Sequence, residues 1–372
     1  MKGNAVSDAA ERTDQTIHIP IPDVLPETNH VGVYHGPDDI RVEERPMPVI
    51  GPGDVLVRTS SAALCAGEAM PWYHASPQGK TLGHEVVGVV ARVGENVTRF
   101  KPGDRIFAHH HFGRMLSHQS LRGHFTIDPY YKSVRFDPGS IADYFRLPAQ
   151  LVEGDSFIVP DSLSDDAVVT IEPWSCVLGG LKVCGIQPGD TVLVIGAGFM
   201  GVGFAVLAPL FGAGRVIVSD FNPWRRAKAL ELGANAVIDP SAGDVAEQLR
   251  ALNDGLLADV VVEAVPNAKV YAQARELVEP GGTLHLAAPG APGTDWVQDS
   301  ARAYFDEVTV TSKYSADHHD TFQYFRLLKA GRIDPSGAIT HHFPLSKLPE
   351  AFKLLEDADK SLKIVLRPDD LF

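Results

Sequence analysis

Residues 191–201 read Thr-Val-Leu-Val-Ile-Gly-Ala-Gly-Phe-Met-Gly, and they decide the fold of the second half of the chain. The run from Val192 to Ile195 is typical of a strand buried on both faces, and a G-x-G-x-x-G turn follows it. In such a turn the first glycine allows the tight bend, the second lets the backbone approach a pyrophosphate, and the third lets the helix pack on the strand. The stretch therefore predicts a dinucleotide-binding turn, with cofactor contacts from Gly196, Ala197, Gly198, Phe199, Met200 and Gly201.

A carboxylate at the expected distance supports this interpretation. A second apolar stretch ends in Ser219-Asp220, and Asp220 lies 220 − 201 = 19 residues beyond the last glycine. About 20 residues separate the motif from the carboxylate that accepts the ribose hydroxyls in NAD-binding proteins. Because Asp220 would repel a 2′-phosphate, NAD is favoured over NADP. Arg225 and Arg226 could weaken that preference or stack on adenine, and Asp220 could also cap the helix that starts near Pro223.

Short strands and helices alternate after Thr191, which predicts a doubly wound parallel sheet. The predicted strands are residues 192–195, 216–218, 236–238, 260–262, 283–286 and 308–310. A helix is predicted over Pro223 to Leu232, and Pro209 should kink or end the helix after the glycine turn. The uncharged run from Val192 to Gly214 has the length of a membrane span, but its six glycines and its proline favour a strand, a turn and a helix.

The first half of the chain has a different pattern. Residues 1–28 are polar and proline-containing, and we interpret them as a loose arm. From Val31 to Glu172 alternating strands and Gly-Pro-Gly-Asp or Lys-Pro-Gly-Asp turns predict a β-rich domain. Periodicity is lost from His109 to Asp137, which predicts a long surface loop. A helix near 348–355 and a strand at 363–366 are expected at the C-terminus.

Composition limits the possible partners and the compartment. The 372 residues carry a formal charge of 33 − 47 = −14, which disfavours binding to nucleic acid or anionic lipid. Three cysteines, Cys65, Cys176 and Cys184, are too few for a disulfide framework or a four-thiolate zinc site. We therefore expect a reduced, cytoplasmic protein that binds a small molecule rather than nucleic acid or a membrane.

Four residues of the β-rich half have the side chains of an open zinc site, namely Cys65, His84, Glu85 and Glu172. A thiolate, an imidazole and carboxylates are the ligands of zinc ions that keep one position for water or substrate. Taken one at a time, each residue has an ordinary structural explanation as well, since a free cysteine is usually a small buried apolar group.

The order of several segments resembles the zinc-type medium-chain dehydrogenase/reductase family, in particular its sorbitol and threonine dehydrogenase-like branch. The segments are Thr81-Leu-Gly-His-Glu-Val-Val-Gly-Val-Val, Phe100-Lys-Pro-Gly-Asp-Arg-Ile, Glu172-Pro-Trp-Ser-Cys, the glycine motif and Ile339-Thr-His-His-Phe-Pro-Leu. The resemblance covers the chain from about Val31. It implies an α/β protein with a GroES-like β-rich catalytic domain and a Rossmann domain with a doubly wound parallel sheet. The corresponding boundaries are an arm at 1–28, a catalytic domain at 29–176, an NAD-binding domain at 177–313 and a return to the catalytic domain at 314–372.

The resemblance also implies roles for individual residues. Cys65 and His84 match zinc ligands, Glu85 matches an adjacent carboxylate that ligates directly, and Glu172 matches the carboxylate that binds zinc or its water. Val265 and Ala288 match positions near the nicotinamide, and Arg225 joins the expected cofactor contacts. Cys176 and Cys184 match no ligand and are interpreted as packing residues.

Two departures from the family pattern change what is expected. Residues 109–137 contain no cysteine, so one catalytic zinc and no structural zinc are expected; His109, His110 and His111 cannot easily all face one ion, which favours a solvated loop. After Cys65 the sequence is Ala66-Gly67-Glu68, so the hydroxyl that would relay a proton is missing. Glu68, His74 and a water oriented by Glu172 remain as candidates for proton release, and Glu68 could equally be structural.

These features together predict a zinc-dependent oxidoreductase that transfers hydride between a secondary alcohol, such as a polyol, cyclitol or amino alcohol, and NAD. Alternatives are another reductive or oxidation–elimination reaction on the same fold, or a nucleotide-binding sensor without turnover. Substrate contacts are expected from the loop at 109–137 and from the surroundings of Trp72 and Trp174. The expected assembly is a homodimer or homotetramer.

Overall fold

The computed structural model describes residues 16, 19–70, 72, 79–295, 299–356 and 359–372. Its internal contacts divide the chain into two units. The first unit contains the residues up to Glu172 together with Ala316–Phe372, and the second contains Pro173–Ser315. The boundaries that the family resemblance implies lie at 176/177 and 313/314.

The first unit begins with eight strands and three short helices in the described residues. The strands are β1 (Thr28–Gly36), β2 (Asp39–Pro46), β3 (Val55–Ala63), β4 (Lys80–Thr81), β5 (Glu85–Val93), β6 (Arg105–Ala108), β7 (Tyr144–Leu147) and β8 (Ser156–Ile158). The helices are α1 (His118–Leu121), α2 (Ala149–Gly154) and α3 (Asp165–Val168).

The second unit alternates strands and helices, as the sequence predicts. Its strands are β9 (Thr191–Ile195), β10 (Arg215–Ser219), β11 (Ala236–Ile238), β12 (Ala258–Glu263), β13 (Val278–Leu286) and β14 (Thr309–Ser312). The helices are α4 (Ile171–Val183), which starts at the end of the first unit, α5 (Phe199–Leu207), α6 (Pro223–Glu231), α7 (Val245–Leu252), α8 (Ala268–Glu276) and α9 (Ser300–Phe305).

The strands of the second unit form one parallel sheet in the order β11-β10-β9-β12-β13-β14. This is the doubly wound order in which the chain reverses direction beside its first strand, and it confirms the predicted fold class. Leu193, Ile217 and Val261 are fully buried in its core. The predicted effect of Pro209 is also confirmed, because α5 ends at Leu207 and a single 3-10 turn, Ala208–Phe211, follows.

The chain then returns to the first unit through α10 (His318–Lys329), β15 (Ile339–Pro344), α11 (Leu348–Glu356) and β16 (Lys363–Arg367). The large sheet of this unit runs β15-β16-β3-β5-β6-β8, with β7 also paired to β3, and a smaller sheet runs β2-β1-β4. Strand β3 is buried along its whole length, so it forms the centre of this β-rich unit.

The expectation of a solvated surface loop at 109–137 is wrong. The stretch from His109 to Asp137 contains α1 and two 3-10 turns, and His109, His111 and Tyr131 within it are buried rather than solvated. The described part of the N-terminal arm is not loose either. Ile19 is buried, and the carbonyl groups of Pro20 and Pro22 accept hydrogen bonds from arginines of the first unit.

The run from Val192 to Gly214 is divided among β9, the glycine turn, α5 and the 3-10 turn that follows. Within the described ranges, no helix has both the length and the apolar character that crossing a bilayer requires.

Candidate active site

Strand register brings the first group of candidate ligands together. Strands β3 and β5 are antiparallel, and Ala63, the last residue of β3, pairs with Glu85, the first residue of β5. Cys65 follows the end of β3 and His84 precedes the start of β5, so both lie at the same edge of the sheet. Gly83 has a φ of +99°, and a Cβ atom there would lie 2.2 Å from the Ile141 nitrogen, so this turn into β5 requires glycine.

One ligand atom from each of Cys65, His84 and Glu85 lies within 4.8 Å of the other two. Thiolate, imidazole and carboxylate are the donors that zinc takes in open sites, so the chemistry of these residues fits the predicted ion. The Glu85 carboxylate also accepts hydrogen bonds from the buried Lys363 ammonium, with Nζ at 2.9 and 2.7 Å from its two oxygens. Nothing local in the sequence indicates this counter-ion, because 278 residues separate the partners along the chain.

Glu68 lies behind this group and is buried. Its Oε1 accepts a 2.7 Å hydrogen bond from the Gly83 N–H and lies 3.4 Å from Nδ1 of His84. Burial raises the pKa of Glu68, but His84 and the backbone N–H groups more than offset this, so the pKa is lowered overall. The described contacts of Glu68 therefore orient His84 and its turn. His74, the other candidate for proton release, lies outside the described residues.

Glu172 falls in a second group, with His109 and His110, whose ligand atoms also lie within 4.8 Å of one another. Nε2 of His109 and Nδ1 of His110 lie 3.7 and 3.8 Å from the same oxygen, Oε1 of Glu172. Strand register explains the position of His109, since Val87 pairs with Phe107 and continuing that antiparallel pairing sets His109 opposite Glu85. The signal for this group in the sequence is the run of three adjacent histidines that follows β6, but the polarity of that run favours a solvated loop.

The two groups are electrostatically linked. The rings of His84 and His110 have centroids 4.7 Å apart. Burial lowers the pKa of His84, but Cys65 and Glu68 more than offset this and raise it well above its usual range. Burial and the neighbouring histidines instead push the pKa of His110 well below that range. The neutral form of the imidazole is therefore favoured at His110 and the protonated form at His84.

In the second unit, the predicted cofactor residues follow the carboxyl ends of adjacent parallel strands. Ile195 pairs with Ser219 on one side and with Glu263 on the other, and Glu263 pairs with Leu286. The four strands therefore end side by side, and each is followed by a residue or motif predicted to contact the cofactor. These are the glycine turn at 196–201, Asp220, Val265 and Ala288.

The glycine turn has the geometry that its sequence predicts. Gly196 has a φ of +103°, and a Cβ atom on Gly201 would lie 1.8 Å from the Gly196 carbonyl oxygen. A Cβ atom on Gly198 would have no neighbour nearer than Nη1 of Arg225, at 4.0 Å. The space over Gly198 is thus open on the protein side, which fits the close approach of a pyrophosphate.

Asp220, which follows the neighbouring strand β10, contacts the backbone of this turn. Its two oxygens accept hydrogen bonds from the N–H groups of Ala197 and Asn222, both at 2.7 Å. Each carboxylate oxygen can accept a second hydrogen bond, so the group can still receive the ribose hydroxyls. Asn222, rather than Asp220, caps α6. Arg226 is held by the Asp220 and Phe221 carbonyls and by Asp239, whereas Nε of Arg225 is buried without a hydrogen-bond partner.

Trp174, whose surroundings are expected to contact the substrate, is itself a structural residue, and the expectation about its surroundings stays a prediction. It is fully buried, stacks on Phe199 with ring centroids 5.3 Å apart, and donates a hydrogen bond to the Phe199 carbonyl. It is therefore a core residue beneath the glycine turn. Cys184 is also buried, and burial raises the pKa of its thiol to about 12, in agreement with a packing role.

Comparison with known families matches both units. Residues 51–155 match the alcohol dehydrogenase GroES-like domain, and residues 200–330 match the zinc-binding dehydrogenase family. The sorbitol dehydrogenase of Gallus gallus is 29% identical over 364 residues, covering 91% of this chain and 96% of that protein. The sorbitol dehydrogenase of Bacillus subtilis is 26% identical, covering 93% and 99%.

Solved structures agree over nearly the whole chain. A protein of the zinc-binding dehydrogenase type from Sinorhizobium meliloti 1021, bound to NADP, superposes with a TM-score of 0.82 at 25% identity, covering 92% of this chain and all of that one. The alcohol dehydrogenase TADH from Thermus sp. ATN1 superposes with a TM-score of 0.80 at 26% identity, covering 91% and 99%.

Proposed function

Because the chain belongs to the zinc-type medium-chain dehydrogenase/reductase family, we propose that it oxidises a secondary alcohol with NAD at the zinc-ligand group Cys65, His84 and Glu85. That group is the observation that carries the proposal, since a thiolate, an imidazole and a carboxylate converge at one sheet edge. The chain is an enzyme of the alcohol dehydrogenase type.

The chain's own residues prepare the site for this reaction. Bound zinc supplies Lewis-acid activation of an alcohol oxygen, and bound nicotinamide supplies the hydride acceptor. Cys65, His84 and Glu85 would hold the ion, with Glu172 close to it as a further carboxylate. Glu68 orients His84 through the contact at Nδ1, and Lys363 balances the charge of Glu85. We propose one catalytic zinc and no structural zinc in a cysteine-rich lobe, because the remaining cysteines, Cys176 and Cys184, are not in the ligand groups of the described residues.

We propose NAD rather than NADP as the cofactor. Asp220 follows the strand next to the glycine turn, the position from which a carboxylate accepts the ribose hydroxyls in NAD-binding proteins, so a 2′-phosphate would meet its negative charge. Arg226 is already occupied by two carbonyls and Asp239, so it does not offset that charge. Arg225 beside Gly198 is then available for the pyrophosphate. Because the Sinorhizobium relative was solved with bound NADP, the preference between NAD and NADP is measured directly in the experiment on this chain.

The substrate class that we propose is a polyol, cyclitol or amino alcohol. The support is the similarity to sorbitol dehydrogenases along almost the entire chain. We further propose that the protein is cytoplasmic, because its three free cysteines, one of them a zinc-ligand candidate, favour a reducing compartment. The assembly that we propose is a homodimer or homotetramer. Light scattering on the purified protein measures the assembly, and a monomer would contradict this part.

The experiment is a screen of secondary alcohols and polyols for NADH absorbance with the zinc-loaded protein. We expect turnover with at least one polyol-like substrate, loss of turnover in Cys65→Ala, and a higher kcat/KM with NAD than with NADP. Cys176→Ala is the matched control and should retain activity. Absence of any alcohol oxidation or ketone reduction, or a preference for NADP, would contradict the proposal.

A further inference from the structure

We propose that Glu263 is an electrostatic partner of the nicotinamide ring, so that its ionised carboxylate favours the oxidised cofactor, NAD⁺, over NADH. The nicotinamide ring carries a positive charge in NAD⁺ and none in NADH, so a nearby carboxylate distinguishes the two forms. The inference rests on the proposed use of NAD. It goes beyond that use, because it concerns which redox state of the cofactor the site favours at a given pH.

Sheet topology places Glu263 on the side of the nucleotide site that lies opposite Asp220. Glu263 is the last residue of β12 and pairs with Ile195 of β9 on one side and with Leu286 of β13 on the other. In doubly wound sheets a dinucleotide spans the crevice where the strand order reverses, with one half on each side. Here the order reverses between β9 and β12. With the adenosine half at β9 and β10, the nicotinamide half is expected over the ends of β12 and β13.

Hydrogen bonds and packing hold the turns that follow these two strands. Oε1 of Glu263 accepts a 2.6 Å hydrogen bond from the Val265 N–H, and a Cβ atom on Gly196 would lie 2.6 Å from Cγ2 of Val265. After β13, the Tyr271 hydroxyl donates a 2.7 Å hydrogen bond to the Ala288 carbonyl. Glu263 is therefore bonded directly to the turn that carries Val265, one of the residues predicted to lie near the nicotinamide.

Accepting the Val265 N–H does not by itself require a carboxyl group. An amide oxygen accepts the same hydrogen bond and adds no ionisable group. Glu263 is fully buried, and its second oxygen, Oε2, makes no hydrogen bond within the described ranges. Burying an ionisable group is costly, and such groups cluster at functional sites. The positive nicotinamide of NAD⁺ is a counter-charge that would favour the ionised form of this group.

Protonation of Glu263 should therefore be linked to cofactor binding. Burial raises the pKa of Glu263 to about 8, although the N–H groups of Val265 and Ala288 lower it. An opposite charge within about 4 to 6 Å typically lowers the pKa of a carboxyl group by about 1 to 3. Binding of NAD⁺ should therefore release a proton from Glu263 to solvent between about pH 7 and pH 8, whereas binding of NADH should not.

The titratable groups of α8, which packs on β12, do not carry this charge difference. Tyr271 interacts electrostatically with Glu263, and burial together with Glu263 raises the pKa of its phenol, so the phenol is neutral at neutral pH. Lys269 and Glu276 are exposed. Arg275 donates hydrogen bonds to the Glu276 carboxylate and to a backbone carbonyl.

The titratable groups on the neighbouring strands lie elsewhere. His285 of β13 pairs with Val262, so it lies on the face of the sheet opposite Glu263. Glu279 is near the other end of β13, and Asp220 follows β10, which is separated from β12 by β9. Strand β9, with the sequence TVLVI, has no titratable side chain. We therefore expect the charge difference between NAD⁺ and NADH to act on Glu263.

Calorimetric titration of the zinc-loaded protein with NAD⁺, NADH and ADP-ribose tests the proposal, in buffers of different ionisation enthalpy from about pH 6 to pH 9. For the wild type we expect the affinity for NAD⁺ to rise about tenfold over this range, with release of at least about half a proton near pH 7.5. NADH and ADP-ribose, which has no nicotinamide, should not show this increase.

Glu263→Gln keeps an oxygen for the Val265 N–H and cannot ionise. We expect it to lose the rise in NAD⁺ affinity and the accompanying proton release, while its affinity for ADP-ribose matches that of the wild type. Glu279→Gln, the same substitution near the other end of the sheet, should behave as the wild type. Other groups that titrate change all three proteins alike, so the difference between the two variants isolates Glu263. A purely structural role of Glu263 would instead weaken all three ligands equally.

Equal pH dependence of NAD⁺ binding in the wild type and in Glu263→Gln would overturn the inference and leave the proposed function intact. If the wild type binds neither NAD⁺ nor NADH, the proposed function and this inference are both wrong. If Glu263→Gln fails to fold, the wild type decides alone. Equal proton release with NAD⁺ and with NADH would then overturn the inference.

Discussion

At the scale of single residues, the contacts of Glu68 indicate what it does beside His84, a candidate zinc ligand. From the sequence, Glu68 could equally be a proton relay or a structural group. Its hydrogen bond from the Gly83 N–H and its position beside Nδ1 of His84 support a positioning role.

Glu68→Gln is therefore expected to weaken zinc binding rather than the chemical step. The amide oxygen can still accept from Gly83, but the negative charge behind His84 is lost. Removal of such a partner typically lowers metal affinity about 10 to 100-fold. Competition with a chromogenic chelator measures the affinity, and Glu153→Gln, on the exposed surface, is the control. Unchanged zinc affinity with a large fall in kcat at saturating zinc would instead support the relay role.

Glu263 is a second residue whose environment sets a measurable property. It ends β12, is fully buried, and accepts a 2.6 Å hydrogen bond from the Val265 N–H. Burial raises its pKa to about 8. The folded protein thus holds one proton more than the unfolded chain between about pH 4.3, the ordinary glutamate value, and about pH 8.

Because the folded state binds the extra proton, the free energy of unfolding should fall as pH rises through that window and level off above about pH 8. Glu263→Gln keeps the acceptor oxygen and cannot ionise. It should therefore be more stable than the wild type at pH 8 to 9, by at least about 1.4 kcal/mol, the equivalent of one pKa unit. Urea unfolding at several pH values measures this, with the exposed Glu231→Gln as control. A parallel pH dependence in Glu263→Gln and the wild type would refute the assignment.

At the scale of elements, the turn from β9 into α5 separates two uses of glycine. A methyl group on Gly201 would collide with the Gly196 carbonyl, whereas a methyl group on Gly198 meets only open space within the protein. Gly201 is therefore required because the helix packs closely against the turn. Gly198 is required by the ligand group that approaches the backbone from outside the protein.

Gly201→Ala should destabilise the protein by about 1 to 3 kcal/mol or more, because the backbone must move to accept the methyl group. Gly198→Ala should change the stability by less than about 0.5 kcal/mol, yet weaken NAD binding by at least tenfold. Urea unfolding without cofactor and calorimetric NAD titration give the two quantities, and each variant is the control for the other. Equal loss of stability in both variants would contradict this distinction.

At the scale of the whole molecule, the C-terminal return completes the first unit around the candidate zinc ligands. Strand β16 lies between β15 and β3 in the large sheet and brings Lys363 to Glu85. The lysine ammonium also donates to the Leu64 carbonyl next to Cys65. The residues after 315 are thus part of the site's electrostatics, although they are far from Cys65 and His84 in sequence.

Lys363→Met should lower the free energy of unfolding by about 3 to 5 kcal/mol, since it leaves the buried Glu85 carboxylate without its counter-ion. Lys360→Met, at an exposed position three residues earlier, should change it by less than about 0.5 kcal/mol. Urea unfolding of the metal-free proteins provides the comparison. If the two variants unfold at the same urea concentration, the ion pair contributes no net stability.

The sequence by itself determined the features that depend on local pattern. Apolar runs, glycine spacing and Pro209 predicted the parallel sheet, the dinucleotide turn and the end of α5, because these depend on periodicity and backbone conformation within a few residues. Cys65 and His84, close to the ends of β3 and β5, were identified from the same kind of local signal, and their role as zinc ligands stays a prediction.

Only the tertiary structure decided which groups meet across long sequence distances. Strand pairing set His109 opposite Glu85 and Lys363 beside Glu85, and packing brought Glu172 close to His109 and buried Trp174 under the glycine turn. In sequence, His109 to His111 have the composition of a solvated loop, because polarity alone does not reveal whether a buried partner exists. Burial of these histidines is stabilised by contacts from distant segments such as Asp155 and Glu172, and local pattern contains no information about that pairing.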